Sequence, residues 1–266
     1  MRKTRSFFRF AAMFLAVSAL ITAEIFVVFE TLRRGFPTLI KNGFSTGFAA
    51  QIVNTALITA SSLTVAMPIS VGMAVWLGRT RNNPLKKAVR RALSALSGVP
   101  SAVYGLFGYL LFGGIFSMRY SLLSGALTAA LLVLPPTVFV VEAVTRSAGD
   151  GAFKGALAVG ATEGKAVFSV LLPEAFSGIL NAAFLASARV AAESAALILT
   201  SGIGERLPQN GIFSHFMRSG ATLTVGMYQS VLKGENDLAF SAGVVLLLML
   251  FLLDEVRKRV KNWHRK

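Results

Sequence analysis

Apolar residues in this chain run on for about twenty positions at a time, broken by short polar connections, instead of recurring every third or fourth residue as on a half-buried helix. Six such stretches stand at residues 10–32, 52–77, 92–116, 122–144, 175–200 and 238–256. As a helix rising about 1.5 Å per residue, each is long enough to cross a hydrocarbon core of about 30 Å. The pattern predicts an all-α, polytopic membrane helical bundle of six transmembrane helices, with residues 1–266 forming a single transmembrane domain. The first stretch is longer than the apolar region of a cleaved leader and continues through Ile25, Phe26, Val27, Val28 and Phe29, so it reads as a retained span.

Composition agrees: 54% of the residues are hydrophobic and 15% charged, and the mean hydropathy is +0.64, well above the usual balance of a soluble domain. The net charge of +15 changes the picture only through its distribution. Arg2, Lys3, Arg5 and Arg9 precede the first stretch, and Arg79, Arg81, Lys86, Lys87, Arg90 and Arg91 follow the second. Arg257, Lys258, Arg259, Lys261, Arg265 and Lys266 close the chain. The other connections carry fewer basic residues: Arg33, Arg34 and Lys41, then Arg119, then Arg206, Arg218 and Lys233. By the positive-inside rule the rich clusters and both termini are cytoplasmic. Their partner is membrane lipid and not nucleic acid. With no cysteine and only His215 and His264, the chain offers no metal site and no thiol chemistry, and no catalytic residue stands out.

The connection at about 145–174 is expected on the cytoplasmic side, yet it is not especially basic. From Lys154 to Pro173 it alternates small residues with helix formers around Gly160 and Gly164, which reads as helix, turn, helix. Gly160 supplies a backbone angle closed to residues with a Cβ, Val167, Phe168, Val170 and Leu171 form an apolar face after the turn, and Pro173 fits the first turn of the next span.

This segment resembles the cytoplasmic loop of binding-protein-dependent ABC importer permeases, whose pattern is Glu-Ala-Ala, three residues, Gly, nine residues, Ile-x-Leu-Pro. Ala156, Gly160, Val170, Leu172 and Pro173 fall on the pattern, with Val170 in place of Ile, whereas Lys154 and Gly155 replace its opening Glu and Ala. Asn54-Thr55, Gly72 and Ala74 look like the start of the permease core. Residues 98–108 (Gly-Val-Pro-Ser-Ala-Val-Tyr-Gly-Leu-Phe-Gly), Leu134-Pro135-Pro136, residues 188–195 and residues 221–225 are similar to segments of phosphate-transport permeases, of the A-type of the two paired subunits. Ala192-Glu193-Ser194 stands where that family has Gly-Glu-Thr. The resemblance implies a type I ABC importer permease fold in the bacterial cytoplasmic (inner) membrane, and three kinds of partner chain. A homologous second permease subunit would share the pathway, a cytoplasmic ATPase dimer would push on the Gly160 loop, and an extracytoplasmic binding protein would deliver substrate. The chain has no phosphate-binding loop of its own, since Gly164-Lys165 is followed by Ala166 and lacks the leading glycine, so it binds no cofactor and ATP and Mg belong to the partner.

Two ionisable residues fall well inside the fifth stretch. Arg189 and Glu193 are four apart, hence on one face of a continuous helix. A charge at a helix centre costs about 2.5 to 3.5 kcal/mol on insertion scales, so such residues face a bundle interior or an aqueous path. We expect Arg189 on the substrate pathway, about 24 Å along the helix from Pro173, with Glu193 one turn further out holding the guanidinium. A structural ion pair is the plainer alternative. Pro68, Pro100, Pro135 and Pro136 kink their helices, Gly105 and Gly108 allow close helix contact, and Glu24 and Glu30 reach interfacial water. A permease for phosphonate, sulfate or molybdate would share these features. An ion-coupled secondary transporter would need a coupling-ion site and an internal repeat, neither of which is visible.

Overall fold

The computed structural model describes residues 2–42, 45–209 and 211–264. The side chains of Arg2, Lys3, Arg5 and Arg9, and residues Arg265 and Lys266, lie outside what it describes. Every regular element among the described residues is helical: α1 (Arg2–Asn42), α2 (Thr46–Arg79), α3 (Pro84–Ser97), α4 (Ser101–Gly108), α5 (Leu122–Ala158), α6 (Glu163–Ala166), α7 (Leu172–Ala191), α8 (Ala195–Thr200), α9 (Ile212–Phe216), α10 (Leu223–Leu232) and α11 (Asn236–His264). Wider π-type turns extend α4 over Tyr109–Ile115 and join α6 to α7 over Val167–Leu171. Five segments are long and apolar enough to cross a membrane: Met13–Lys41, Gly47–Arg79, Leu122–Ser147, Glu163–Ala191 and Asn236–Trp263.

The third expected span differs. Pro84–Ser97 and Ser101–Ile115 meet at a bend of 103°, so the sixth crossing exists only if the bent pair is taken as one. Asn83 caps α3, its Oδ1 accepting the Lys86 N–H at 2.7 Å, and Pro84 fits the first turn. Gly98 then ends the helix, and Val99, placed before Pro100, is driven away from helical geometry. The Tyr104 hydroxyl donates to the Leu96 carbonyl at 3.1 Å and fixes the corner.

The fifth span ends earlier than expected. Its helix stops at Ala191, and residues 192–194 are non-helical before α8 begins at Ala195. At its other end Pro173 cannot donate a backbone hydrogen bond, and the wider turn over Val167–Leu171 accommodates that loss.

The core forms where α2, α4, α5, α7 and α8 meet around small residues. Ala66, Ala129, Ala130, Ala186 and Ala196 pack with Ile58, Val133, Val190 and Leu197. Small side chains bring backbones close: a Cβ on Gly105 would lie 2.7 Å from the Ala196 Cα, and one on Gly108 would meet Thr128, as the sequence led us to expect of both glycines. Ser62 links α2 to α5 by donating to the Ala126 carbonyl at 2.9 Å.

Helix α1 stands apart and packs on α11, where the Ser241 hydroxyl donates to the Gly35 carbonyl at 3.1 Å and the Arg34 guanidinium lies 5.4 Å from the centre of the Phe240 ring. Glu30 is held by Arg33 and Arg34.

The connection between α8 and α11 is folded into the bundle. Asn54 on α2 is fully buried, donates to the Ala221 carbonyl at 3.0 Å and bonds His215 Nε2 at 2.8 Å through its Oδ1. Thr55 accepts the Leu223 N–H at 2.9 Å.

Candidate functional site: a cationic cleft and the Gly160 turn

Arg189 lies in the last turn of α7, which positions it on a cleft of about 250 Å³ between α7, α5 and the α3–α4 corner. Leu132, Pro136, Val140 and Thr137 line it from α5, Leu96, Ser97, Val99 and Tyr104 from the corner, and Ala182, Leu185 and Ala186 from α7. Arg189 is the one charged residue in this lining, is exposed, and makes no ion pair among the described residues. The arrangement is a mostly apolar recess in which the Ser97, Tyr104 and Thr137 hydroxyls donate to backbone carbonyls, so the donors it can offer an anion are those of the Arg189 guanidinium.

Glu193 is where the expectation needs correction. It was expected one turn beyond Arg189 on the same helix, holding the guanidinium, but α7 has ended by Ala191. Its buried carboxylate turns the other way, Oε1 accepting the Ala196 N–H at 3.1 Å, which satisfies one of the open donors at the start of α8. Its carbonyl accepts the Thr224 hydroxyl at 2.6 Å, tying the break to α10. Glu193 therefore shapes the α7–α8 break; the structure does not pair it with Arg189.

The helix stop expected at Gly160 is present. The φ of Gly160 is +90°, its N–H donates to the Leu157 carbonyl at 3.0 Å, and the Ala161 N–H reaches back to the Ala156 carbonyl at 3.0 Å. This pair of bonds is the glycine-terminated helix stop called a Schellman motif. Thr162 then caps α6 through the Lys165 N–H at 3.4 Å. Ala156 packs partly against a small core of Phe153, Ala166 and fully buried Leu171, which also touches Val75 of α2. The apolar face expected after the turn is divided. Val167 and Leu171 turn inward, Val170 and Leu172 are half-buried, and Pro173 is exposed. Val159 and Phe168 project outward, 86% and 74% exposed.

Lys154, which replaces the family's Glu, has a partner. Its Nζ lies 2.7 Å from Asp150 Oδ2, and Arg79 Nη1 is 2.8 Å from Asp150 Oδ1. The Lys154 ammonium and then the Arg79 guanidinium hold the Asp150 carboxyl below its ordinary range. Arg79 also lies 4.1 Å over the centre of the Phe153 ring, so α2 is joined to the turn twice.

Two groups escaped the sequence reading. Glu142 on α5 is 4% exposed and meets Arg90 and, at 3.7 Å, Arg146; an acid inside an apolar stretch was the available signal. Buried His215 has no comparable local signal. Burial, and then Arg218, pushes its imidazole below the usual value, so it stays neutral beside Asn54.

The sequence profile of the family described as "Binding-protein-dependent transport system inner membrane component" matches residues 66–261. The chain belongs to this family. That family is one of ABC importer permeases, and the chain is a multi-pass membrane protein of it. It is 34% identical over 158 residues to the probable ABC transporter permease protein YqgI of Bacillus subtilis (strain 168), an alignment covering 59% of this chain and 54% of that one. It is 28% identical to a phosphate transport system permease protein PstA homolog of Mycoplasma genitalium, covering 79% of this chain and 32% of that one. The chain thus spans about half and about a third of the lengths of these two relatives. Phosphate transport system permease protein PstA 2 of Mycobacterium tuberculosis (strain CDC 1551 / Oshkosh) aligns at 25% identity over 95% of this chain and 86% of its own. Among solved structures, a bacterial alginate ABC transporter in complex with its alginate pentasaccharide-bound periplasmic protein has a chain that superposes with a TM-score of 0.69 at 15% identity, over 94% of both chains. The MetNI methionine ABC transporter in an inward-facing form gives 0.64 at 18% identity, over 82% of this permease and 94% of its own chain. These likenesses give the fold, that of type I ABC importer permeases.

Proposed function

We propose that this permease carries inorganic phosphate inward across the cytoplasmic membrane, with both termini on the cytoplasmic side. The observation that carries this reading is Arg189, a guanidinium with no ion pair among the described residues, on an otherwise uncharged cleft. A guanidinium offers a planar fork of donors that matches phosphate oxygens two at a time. Relatives named as phosphate transport permeases support the choice of anion. Glu193 contributes by holding the end of α7, and so Arg189, in place. One cation without a dedicated counter-charge draws an anion in, and the small number of polar groups around it keeps the site weak enough to release.

The cleft opens on the side of a single subunit, and a second, homologous permease completes the pathway. An ATPase dimer seats on the Gly160 turn, where Val159 and Phe168 are exposed apolar contacts. That dimer supplies ATP and Mg, and this chain binds neither and catalyses nothing. An extracytoplasmic binding protein delivers the phosphate. Movement of the turn reaches the cleft along α5, which runs unbroken from Leu122 to Ala158.

The test is uptake by the reconstituted complex, with radiolabelled phosphate, sulfate and molybdate offered in parallel. ATP-dependent accumulation of phosphate alone is expected. Accumulation of sulfate or molybdate in its place would keep the permease and overturn its cargo.

A further inference from the structure

The amphipathic arm α3 ends at the corner that forms one wall of the cleft, while α5 forms the facing wall and continues to the docking turn. Something must keep the two walls in step when α5 is displaced. Val89 and Leu93 of α3 lie in an apolar contact with Leu77, Val138 and Val141, and such contacts have no preferred direction and permit sliding. One contact is directional. Arg90 Nη2 donates to Glu142 Oε1, and the same guanidinium lies 5.9 Å from the centre of the Phe139 ring. Glu142 sits just beyond the cleft residue Val140 on the side towards the docking turn, and the residue is 4% exposed.

We propose that the Arg90–Glu142 pair is the positioning link that passes movement of the docking turn from α5 to α3, and so to the far wall of the cleft. The proposal rests on the reading that an ATPase seats on that turn. A part-buried, charge-assisted bond, with Glu142 enclosed and the Arg90 side chain 42% exposed, resists shear that a greasy contact would absorb. Arg146 completes the arrangement. Its Nε is 3.7 Å from Glu142 Oε1, and it lies one turn along the same helix, so it neutralises the carboxylate without joining α5 to anything. Losing Arg90 therefore removes the connection between helices while leaving Glu142 with a counter-charge. Tyr104, through its bond to Leu96, carries the movement around the corner into α4.

The test uses the full complex with its ATPase and binding protein in proteoliposomes, reading ATP hydrolysis and phosphate uptake together. Arg90→Gln should assemble and hydrolyse ATP at close to the wild-type rate, while phosphate carried per ATP falls by about tenfold or more, within the range that coupling between sites spans. Arg90→Gln with Glu142→Gln removes both charges, guards against a folding defect, and should show the same loss. Arg146→Gln should keep the wild-type ratio. Because the chain has no cysteine, Arg90→Cys with Glu142→Cys can be bridged by a reducible bifunctional thiol reagent. Bridging should restore the ratio, and reduction should abolish it again. The link is refuted if the double glutamine variant couples as well as wild type, or if bridging restores nothing. A wild-type complex without ATP-dependent phosphate uptake would remove the proposed function and the link together. Coupled uptake in wild type and variant alike would remove only the link.

Discussion

Substitution of Gly160 isolates backbone strain from packing, because a Cβ built at this position meets no atom within 4 Å. The whole penalty of Gly160→Ala therefore comes from φ = +90°, which a side chain tolerates poorly. Left-handed geometry costs an L-residue about 1 to 2 kcal/mol, equivalent to a roughly five- to thirty-fold shift against the native turn. Asn bears positive φ better than Ala, and a β-branched side chain bears it worse. The order of function should be Gly, then Asn, then Ala, then Val, with the transmembrane helices unaffected because the strain is confined to two hydrogen bonds at the end of α5. The assay is co-purification of each variant with the ATPase, together with ATP hydrolysis stimulated by the loaded binding protein. If Gly160→Val inserts normally and still supports hydrolysis at the wild-type level, the turn is not the docking element.

Gly105→Ala should lower thermal stability in detergent by about 1 to 3 kcal/mol, because the new methyl would meet backbone atoms of Ala196, which cannot move aside as a side-chain tip can. Gly72→Ala, in open space on α2, should stabilise by about 0.5 to 1 kcal/mol and serves as the control. His215 should make the outer connection sensitive to acid. Its folded pKa is lowered, so stability is complete above the unfolded value of about 6.5 and is lost as pH falls below it, because only the unfolded chain then takes up the proton readily. Proteolysis of the outer connection against pH reads this directly, and the acid-dependent part of the increase should vanish in His215→Gln.

The helical bundle was legible because membrane spans are written as long apolar runs, and the turn at Gly160 because a local backbone angle requires glycine there. Hydropathy misread two places for one reason: it averages over a bend. Residues 92–116 are apolar throughout, yet Gly98 and Pro100 break them into two helices at 103°. Residues 192–194 interrupt the fifth span although Ala192 and Ser194 look innocuous, because the Glu193 carboxylate takes up a backbone donor of the next helix. Arg189 was legible as a buried-span cation, but its supposed partnership with Glu193 assumed a helix that had already ended. Asn54 and His215, or Arg90 and Glu142, meet only through tertiary folding, across separations of 161 and 52 residues, and periodicity carries no information about such pairs.

The central claim, that Arg189 lies on the path of the anion, is tested most directly by measuring assembly and phosphate uptake side by side in Arg189→Lys, Arg189→Gln, and Arg189→Gln combined with Glu193→Gln. Each variant should assemble with its partner permease and ATPase. Uptake should fall in Arg189→Lys, which keeps the charge but loses the planar fork, and fall further in Arg189→Gln. Because Glu193 bonds Ala196 and not Arg189, the second substitution should restore nothing. A fully assembled double variant that carries phosphate at the wild-type rate would contradict the account.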